Sequence, residues 1–177
     1  MHPRWQVLFA CLIWAFSLST AVAGGGQGLT ASPDRLRALY VQRLVKYVTW
    51  PEGAGPGKDE PFIVAAVDPD ALRPYFAAGE AAARFRLVQW PARKYHVLVL
   101  IGAPQREVAA ILKRVSGEPV LTISQNPVNL GLGSVVDFAW KNGKLKLEIN
   151  SDAAEAAGLT VSSRLLQLAR IYRKAER

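Results

Sequence analysis

The chain has 177 residues, of which half are hydrophobic and a fifth are charged, and its mean hydropathy is +0.10. The length suits one domain, and the composition excludes a disordered chain, a collagen-like chain and a protein with several membrane spans. One cysteine and two histidines are too few for a Cys/His zinc site or for a disulfide framework.

The first 23 residues have the pattern of a secretory signal peptide. Arg4 gives a positively charged start, an apolar stretch runs from Trp5 to Leu18, and Ala21-Val22-Ala23 is a small-x-small cleavage site. The alternative is an uncleaved membrane anchor, but the stretch is short for a span and no basic cluster follows it. The sequence therefore predicts export to the periplasm, with a flexible glycine-rich leader over residues 24–33.

Cleavage after Ala23 would remove the cysteine, one histidine and one arginine. The mature chain would then carry 21 basic and 14 acidic residues, a net charge of +7. A basic exported protein finds anionic partners in lipid headgroups, cell-wall polymers and acidic protein faces, whereas nucleic acid is not expected there. The competing interpretation is that the excess of lysine and arginine only keeps the surface soluble.

A helix is predicted at the start of the mature domain. Ser32 is an N-cap candidate, and Pro33 suits the first helical turn. Apolar residues follow at helical spacing, and Trp50-Pro51 predicts the end of the helix because proline disfavours helical geometry in the residue before it. The predicted buried stripe is Leu36, Leu39, Tyr40, Leu44, Tyr47 and Val48.

Apolar runs and helical segments alternate over the next part of the chain, after a Gly/Pro-rich loop at residues 52–60. Continuous apolar runs are typical of strands that are covered on both faces. Strands are predicted at residues 62–67, 85–89, 97–101 and 120–124, and helices at residues 68–78 and 104–115. This alternation predicts an α/β fold with a mostly parallel sheet and helices on both faces.

A β-hairpin is predicted around Asn142-Gly143, the strongest short hairpin signal. A two-residue turn there pairs Lys141 with Lys144 and places Asp137 opposite Glu148. The apolar residues then share one face: Trp140 with Leu145, Phe138 with Leu147, and Val136 with Ile149. The pattern of the strands and the chemistry of the turn therefore agree on one register.

The C-terminal part reads as two helices. Ser151 is a capping candidate for a short helix over residues 152–157, which Gly158 ends. A last helix is predicted to bury Val161, Leu165, Leu168, Ala169 and Tyr172.

Three segments together carry a resemblance to a known family. The first is LYVQRLVKYVTWP (residues 39–51), and the second is PVLTIS (119–124) with Gly131-Leu132-Gly133. The third and most specific is LEINSDAA (147–154), continuing as AGLTVSSRLLQLA (157–169). Their order and spacing resemble the YfiR family of small periplasmic proteins, over nearly the whole mature chain.

The resemblance implies a Rossmann-like α/β domain over residues 34–174, with a mixed sheet and a C-terminal hairpin followed by helices. It also implies a function, because family members repress a membrane-bound diguanylate cyclase by binding its periplasmic region. An outer-membrane lipoprotein can sequester the repressor. Some members carry disulfides, whereas the mature part of this chain has no cysteine, so redox control through its own thiols is excluded.

Enzyme chemistry has few candidates in the mature sequence. His96 stands alone at a predicted strand start and is interpreted as a core or strand-end residue. Gly131-Leu132-Gly133 lacks the third glycine of a dinucleotide fingerprint and precedes a hairpin, so it more readily supplies a turn. Asp68 and Asp70 would repel a phosphate after the first core strand. The sequence therefore predicts a protein that acts by binding, without catalysis and without a cofactor, and a hydrolase is the weakest alternative.

One pair of carboxylates leaves two interpretations open. Asp137 and Glu148 are opposed across the predicted hairpin on the face away from the core, which is unfavourable for like charges. The pair would be a cation site or an acid–base pair, or Lys146 would neutralise it as a diagonal neighbour.

The partner-binding candidates lie in the family-like segments: Trp50, Pro51, Glu148, Asn150 and Arg164. Tryptophan at the end of an element is either packed, with its N–H on a carbonyl, or an interface anchor. Asn150 and Arg164 lie at predicted helix starts, where an arginine opposes the helix dipole unless a partner compensates it. The leading hypothesis is a repressor of a diguanylate cyclase. The alternative is a periplasmic sensor of a small molecule or of the cell wall, and a homodimer is left open.

Overall fold

The computed structural model describes residues 32–142 and 144–173. The helices within this part of the chain are α1 (Pro33–Leu44), α2 (Arg73–Phe76), α3 (Gly79–Arg84), α4 (Gln105–Arg114), α5 (Val128–Gly131), α6 (Ser151–Ala156) and α7 (Ser163–Leu168). The strands are β1 (Val48–Thr49), β2 (Phe62–Ala66), β3 (Phe85–Gln89), β4 (Val97–Val99), β5 (Leu121–Ser124), β6 (Val136–Lys141), β7 (Lys144–Ile149), β8 (Thr160–Val161) and β9 (Arg170–Ile171). The signal peptide predicted over residues 1–23 lies outside the described residues, as does the leader up to residue 31.

Seven strands form one sheet in the order β3-β2-β4-β5-β6-β7-β9. The strands from β3 to β6 are parallel, β7 is antiparallel to β6, and β9 is parallel to β7. The chain passes from β2 to β3 on one side and then to β4 on the other side, so the strand order reverses at β2. This mixed α/β sheet confirms the predicted Rossmann-like fold.

Helices cover both faces of the sheet, which is why β2 and β4 are apolar throughout. On one face Val64, Val97 and Leu121 pack in a core cluster with α1, α6 and α7. On the other face Ala65 and Leu98 pack with the apolar side of α4. The prediction of helix, strand and covering face holds for this central part of the domain.

The first helix begins as predicted and ends early. Ser32 caps α1, because its hydroxyl oxygen accepts a hydrogen bond from the Arg35 N–H at 3.2 Å, so the last two residues of the predicted leader belong to the helix start. The prediction that the helix continues to Trp50-Pro51 is wrong. It ends at Leu44, and β1 pairs with β8. Valine and threonine are β-branched, and the antiparallel partner satisfies their backbone groups.

The helix predicted over residues 68–78 is reduced to α2, and a second short helix, α3, follows it. A turn at Pro69, whose carbonyl accepts from the N–H groups of Leu72 and Arg73, delays the start of α2. Gly79 then has a φ of +60°, a left-handed backbone that separates α2 from α3. The second helix was not predicted because its alanine-rich sequence has no buried stripe: none of its residues is buried.

The hairpin forms in the predicted register. Lys141 pairs with Lys144 and Asp137 with Glu148. Asn142 has a φ of 51°, as the first position of a two-residue turn requires. Phe138 is fully buried on the core face of the hairpin. The predicted core face is therefore confirmed, although Trp140 near the turn is exposed.

The last predicted helix is wrong in type for most of its length. Val161 belongs to β8, only residues 163–168 form α7, and the chain then pairs with β7 as β9. Leu168 was expected in the core and is 75% exposed, and Leu39 of α1 is also exposed. Pairing of β8 with β1 and of β9 with β7 decides the conformation of this segment. Such pairing between distant strands does not show in the periodicity of the sequence.

Candidate functional site

Trp50 follows β1 and belongs to the main core cluster. Its indole packs on the Phe62 ring with the ring centres 5.2 Å apart, and only 9% of the residue is exposed. The indole Nε1 is buried and has no hydrogen-bond acceptor among the described residues. The expectation that this N–H reaches a carbonyl is therefore wrong, and ring packing alone holds Trp50 in place.

A groove of about 650 Å³ lies beside Trp50 and is called the Trp50 groove below. Glu60 and Lys94 line it and are joined by an ion pair of 2.9 Å, and the hydrogen bond from Lys94 lowers the pKa of Glu60. Much of the remaining lining comes from the Gly/Pro loop, whose glycines leave backbone accessible. The lining residues are Val48, Thr49, Trp50, Pro51, Gly53, Gly55, Pro56, Gly57, Glu60, Phe62 and Lys94.

Pro51 is exposed and lies against the end of α6. A Cβ atom at Gly158 would come within 3.1 Å of the Pro51 Cγ, and Gly158 has a φ of +68°. Both the close approach and the backbone conformation require glycine at this position. Pro51 thus lines the Trp50 groove and also fixes the C-terminal segment beside it.

Arg164 is exposed in the first turn of α7. No acidic residue lies in that turn, and Arg164 makes no ion pair within residues 32–142 and 144–173. Ser162 caps the helix, since its hydroxyl accepts from the Leu165 N–H at 3.3 Å. The guanidinium therefore stands at the positive end of a short helix without an acidic partner, as the sequence predicts.

Glu148 is nearly buried and is held by two cations. Its Oε1 accepts from the Lys141 Nζ at 2.9 Å and from the Arg170 guanidinium at 3.2 Å. Lys146 was expected to neutralise the carboxylate pair as a diagonal neighbour of Asp137, and it does occupy that position, opposite Ala139. The interpretation is nevertheless wrong, because Lys146 makes no ion pair within the described residues and Glu148 pairs with Lys141 and Arg170 instead. The strand β9, which sequence reasoning missed, brings Arg170 to Glu148.

Asp137 has no exposed surface, so the expectation that it lies on an open face is also wrong. Ser124 donates to its Oδ1 at 2.8 Å, and its Oδ2 is buried without a partner among the described residues. Burial raises the pKa of Asp137 and the charge of Glu148 adds to this, while the hydrogen bonds from Ser124 and the Asn126 backbone oppose it. A buried carboxyl of this kind favours its neutral form.

Asn150 is a structural residue at the start of α6. Its Oδ1 accepts from the Ala153 N–H at 3.0 Å, so Asn150 is the N-cap and the prediction of Ser151 in this role is wrong. Its Nδ2 donates to the Leu130 carbonyl at 2.8 Å. Both ends of the side-chain amide are therefore used inside the domain.

His96 lies in the core, as expected, directly before β4. Its Nδ1 accepts a hydrogen bond from the Ile63 N–H at 2.9 Å, and its ring packs edge-on against Phe62. Burial lowers the pKa of His96, and the nearby charge of Lys94 lowers it further. The imidazole is neutral at neutral pH and has the role of a packed hydrogen-bond acceptor.

Comparison with known protein families decides which family this architecture represents. The family described as YfiR/HmsC-like matches residues 34–170. The chain belongs to this YfiR/HmsC-like family. No curated protein matches the chain. The family suggests a periplasmic regulator of a diguanylate cyclase.

The three segments that resemble the YfiR family meet in the structure. The Tyr47 carbonyl accepts from the Ser162 N–H at 2.8 Å, beside the pairing of β1 with β8, and this joins the first segment to the third. The bond from Asn150 to the Leu130 carbonyl ties the third segment to α5, directly before Gly131. Trp50 and Pro51 follow β1, and Arg164 follows β8 towards the opposite end of this strand pair, whereas Glu148 and Asn150 lie inside the domain.

Sequence reasoning missed part of this candidate site. Phe62, Glu60 and Lys94 line the Trp50 groove, yet the sequence marked them only as a strand start and as loop residues. A tryptophan before a Gly/Pro-rich loop and an aromatic residue after it were the available signal. The described residues contain no group of three or more potential metal-ligating side chains, and none of their helices is long and apolar enough to cross a bilayer.

Proposed function

We propose that this protein represses an inner-membrane diguanylate cyclase by binding the periplasmic region of the enzyme. Repression would limit cyclic di-GMP and, with it, biofilm formation. The observation that carries the proposal is the family match over residues 34–170, which spans nearly all of the described domain. The protein would act by occupying its partner, so binding needs no cofactor and produces no turnover.

The Trp50 groove, together with Arg164 at the start of α7, is the surface we propose for this contact. It combines an aromatic pair, an exposed proline and a basic side chain at Arg164 without an acidic partner in the described domain. An interface with apolar anchors and a charged edge has this composition.

Glu148 and Asn150 have a supporting role in this proposal. Their side chains are engaged inside the domain, so alanine at either position would act through the fold. An outer-membrane lipoprotein that sequesters the repressor would compete for the same surface. A homodimer that formed through this groove would have to dissociate before the cyclase could bind there.

The test uses a strain that lacks the gene and is complemented with single variants, with cyclic di-GMP as the readout. Trp50→Phe, Pro51→Ala and Arg164→Ala should each raise cyclic di-GMP while the protein accumulates normally. Trp90→Phe and Arg106→Ala are the matched controls, because neither residue lines the groove, and they should repress like the natural protein. Trp50→Phe keeps an aromatic ring but removes the N–H and part of the indole volume, so the melting temperature of every variant is measured alongside.

Unchanged cyclic di-GMP after deletion of the whole gene would overturn the repressor function. The alternative, a sensor of a small molecule or of the cell wall, would then take its place. A purified complex between the mature protein and the periplasmic region of the cyclase gives an independent check. That complex should form without added ligand and should weaken in the three variants.

A further inference from the structure

The reversal of strand order at β2 creates a second site, away from the Trp50 groove. In open α/β sheets the crevice outside the carboxyl ends of the strands at such a reversal is where ligands bind. A cavity of about 190 Å³ lies at this place. Asp34 and Arg37 of α1 line it on one side, with Asp68 after β2 and Gly102 after β4.

Asp68 is exposed, and Gly102 beside it puts no side chain between the carboxylate and the cavity. The φ of Gly102 is +88°, and a Cβ atom there would lie 3.5 Å from the Asp68 Oδ2. The Asp68 Oδ1 accepts only a long bond of 3.3 Å from the Asp70 N–H, and Oδ2 accepts no hydrogen bond within the described residues. One carboxylate oxygen is therefore left for a ligand.

The charges around the cavity select the class of ligand. Arg37 is paired with Asp34, so these two side chains neutralise each other. Asp68 makes no ion pair within the described part of the chain, which leaves the lining with one uncompensated negative charge. Anionic ligands are repelled by this arrangement, and an ammonium group is complementary to it. Ile101 is half-buried and adds apolar surface for a short aliphatic chain, and the buried Leu72 lines the cavity beside it.

We propose that this cavity binds a small primary amine, whose ammonium group donates to the Asp68 carboxylate and whose chain packs on Leu72 and Ile101. This site is independent of the proposed contact with a cyclase, since it shares no residue with the Trp50 groove. It gives the domain a ligand-binding capacity in addition to a protein-binding one.

Calorimetric titration of the mature protein tests the proposal with three probes of equal chain length: n-pentylamine, 1-pentanol and valerate. The amine should bind saturably, with a Kd on the order of 1 mM for a ligand of this size. Valerate should not bind, and pentanol should bind at least about tenfold more weakly, because it lacks the charge-assisted hydrogen bond.

Two variants and one control show whether the amine binds in this cavity. Asp68→Asn should weaken amine binding by about tenfold or more, as expected for loss of a charged acceptor. Asp70→Asn is the matched control, since Asp70 is paired with Arg73 outside the cavity, and it should bind the amine unchanged. Ala71→Leu should also block binding by filling the cavity without altering any charge.

Several results would overturn the proposal. One is equal affinity for the amine and the alcohol, and another is tighter binding of valerate. Equal affinity in the natural protein and in Asp68→Asn would place the amine elsewhere. The absence of saturable amine binding would reject the proposed amine site altogether, and this result does not depend on whether the protein binds a cyclase.

Discussion

The buried carboxyl group of Asp137 makes the free energy of unfolding depend on pH. Because its folded pKa lies above the ordinary value of about 3.9, the folded state binds the proton more tightly than the unfolded state does. The stability that Asp137 contributes is full below the unfolded pKa and is lost as the pH rises through the folded pKa. Where the pH exceeds the folded pKa, the ionised carboxyl is a buried negative charge opposite Glu148.

We expect Asp137→Asn to leave the free energy of unfolding at pH 7 unchanged or to raise it. Asparagine keeps an oxygen for the Ser124 hydroxyl and removes the buried charge. The advantage of the variant should disappear as the pH is lowered through the raised pKa of Asp137. Urea unfolding from pH 7 to pH 4 measures this, and a large loss of stability at pH 7 would contradict it.

The same variant tests the cation interpretation of the carboxylate pair. A bound Ca²⁺ would have to displace Lys141 and Arg170 from Glu148. If the pair binds Ca²⁺, the melting temperature of the natural protein rises with Ca²⁺ and that of Asp137→Asn does not. No rise in the natural protein rejects the cation site.

His96 contributes to stability with the opposite dependence on pH. Burial holds its folded pKa below the unfolded value of about 6.5, so the folded state favours neutral imidazole. The contribution is present above pH 6.5 and is lost as the pH falls from there through the folded pKa.

His96→Asn should therefore flatten the loss of stability below pH 6.5. The asparagine oxygen can accept the Ile63 N–H bond, and its amide does not titrate. The free energy of unfolding of the variant and of the natural protein is compared between pH 7.5 and pH 5. Parallel curves for the two proteins would show that His96 does not titrate in this range.

At the scale of elements, the hairpin is the part whose sequence and structure agree most fully. Asn142 has a φ of 51°, and Lys141 pairs with Lys144 on either side of a two-residue turn. Asparagine tolerates this left-handed backbone, whereas a β-branched residue does not. Gly143, the second residue of the predicted turn, lies outside the described residues.

Asn142→Val should destabilise the fold by about 1–3 kcal/mol, the cost of a strained residue at positive φ. Lys144→Val is the control, because it places the same side chain at an exposed strand position, and it should change stability by less than about 1 kcal/mol. Urea unfolding gives both values. Equal stability of the two variants would mean that the turn differs in solution.

The end of the first helix is where the sequence prediction and the structure differ most clearly. Its apolar spacing continues to Val48, yet the helix stops at Leu44 because β8 pairs with Val48–Thr49. The same pairing brings Gly158 against Pro51, directly after β1. A contact between segments more than a hundred residues apart thus decides both a local conformation and the shape of the candidate site.

At the scale of the whole molecule, the predicted signal peptide determines where the protein acts. Cleavage after Ala23 should give a mature periplasmic protein that begins at Gly24. N-terminal sequencing of periplasmic material checks this. Recovery of the full-length chain from the inner membrane would instead support the uncleaved anchor.

The central α/β pattern could be predicted because each element carries its own signal. Apolar runs mark strands covered on two faces, the stripe of α4 marks one helix, and Asn142 marks the turn. The family could be recognised for the same reason, since its three segments are local sequence patterns. Of the partner-binding candidates, Trp50 and Pro51 line one groove and Arg164 is exposed, whereas Glu148 and Asn150 are buried, and the sequence could not make this distinction.

The apolar core strands, the hairpin register and the family were thus determined by the sequence itself, because they depend on residue type and spacing within one element. The tertiary structure decided the rest. It buried Asp137, gave Glu148 its two cations through β9, ended α1 early and opened the Trp50 groove and the cavity at β2. Each of these features needs side chains or strand edges from distant parts of the chain, and backbone groups take whichever hydrogen-bond partner the fold brings to them.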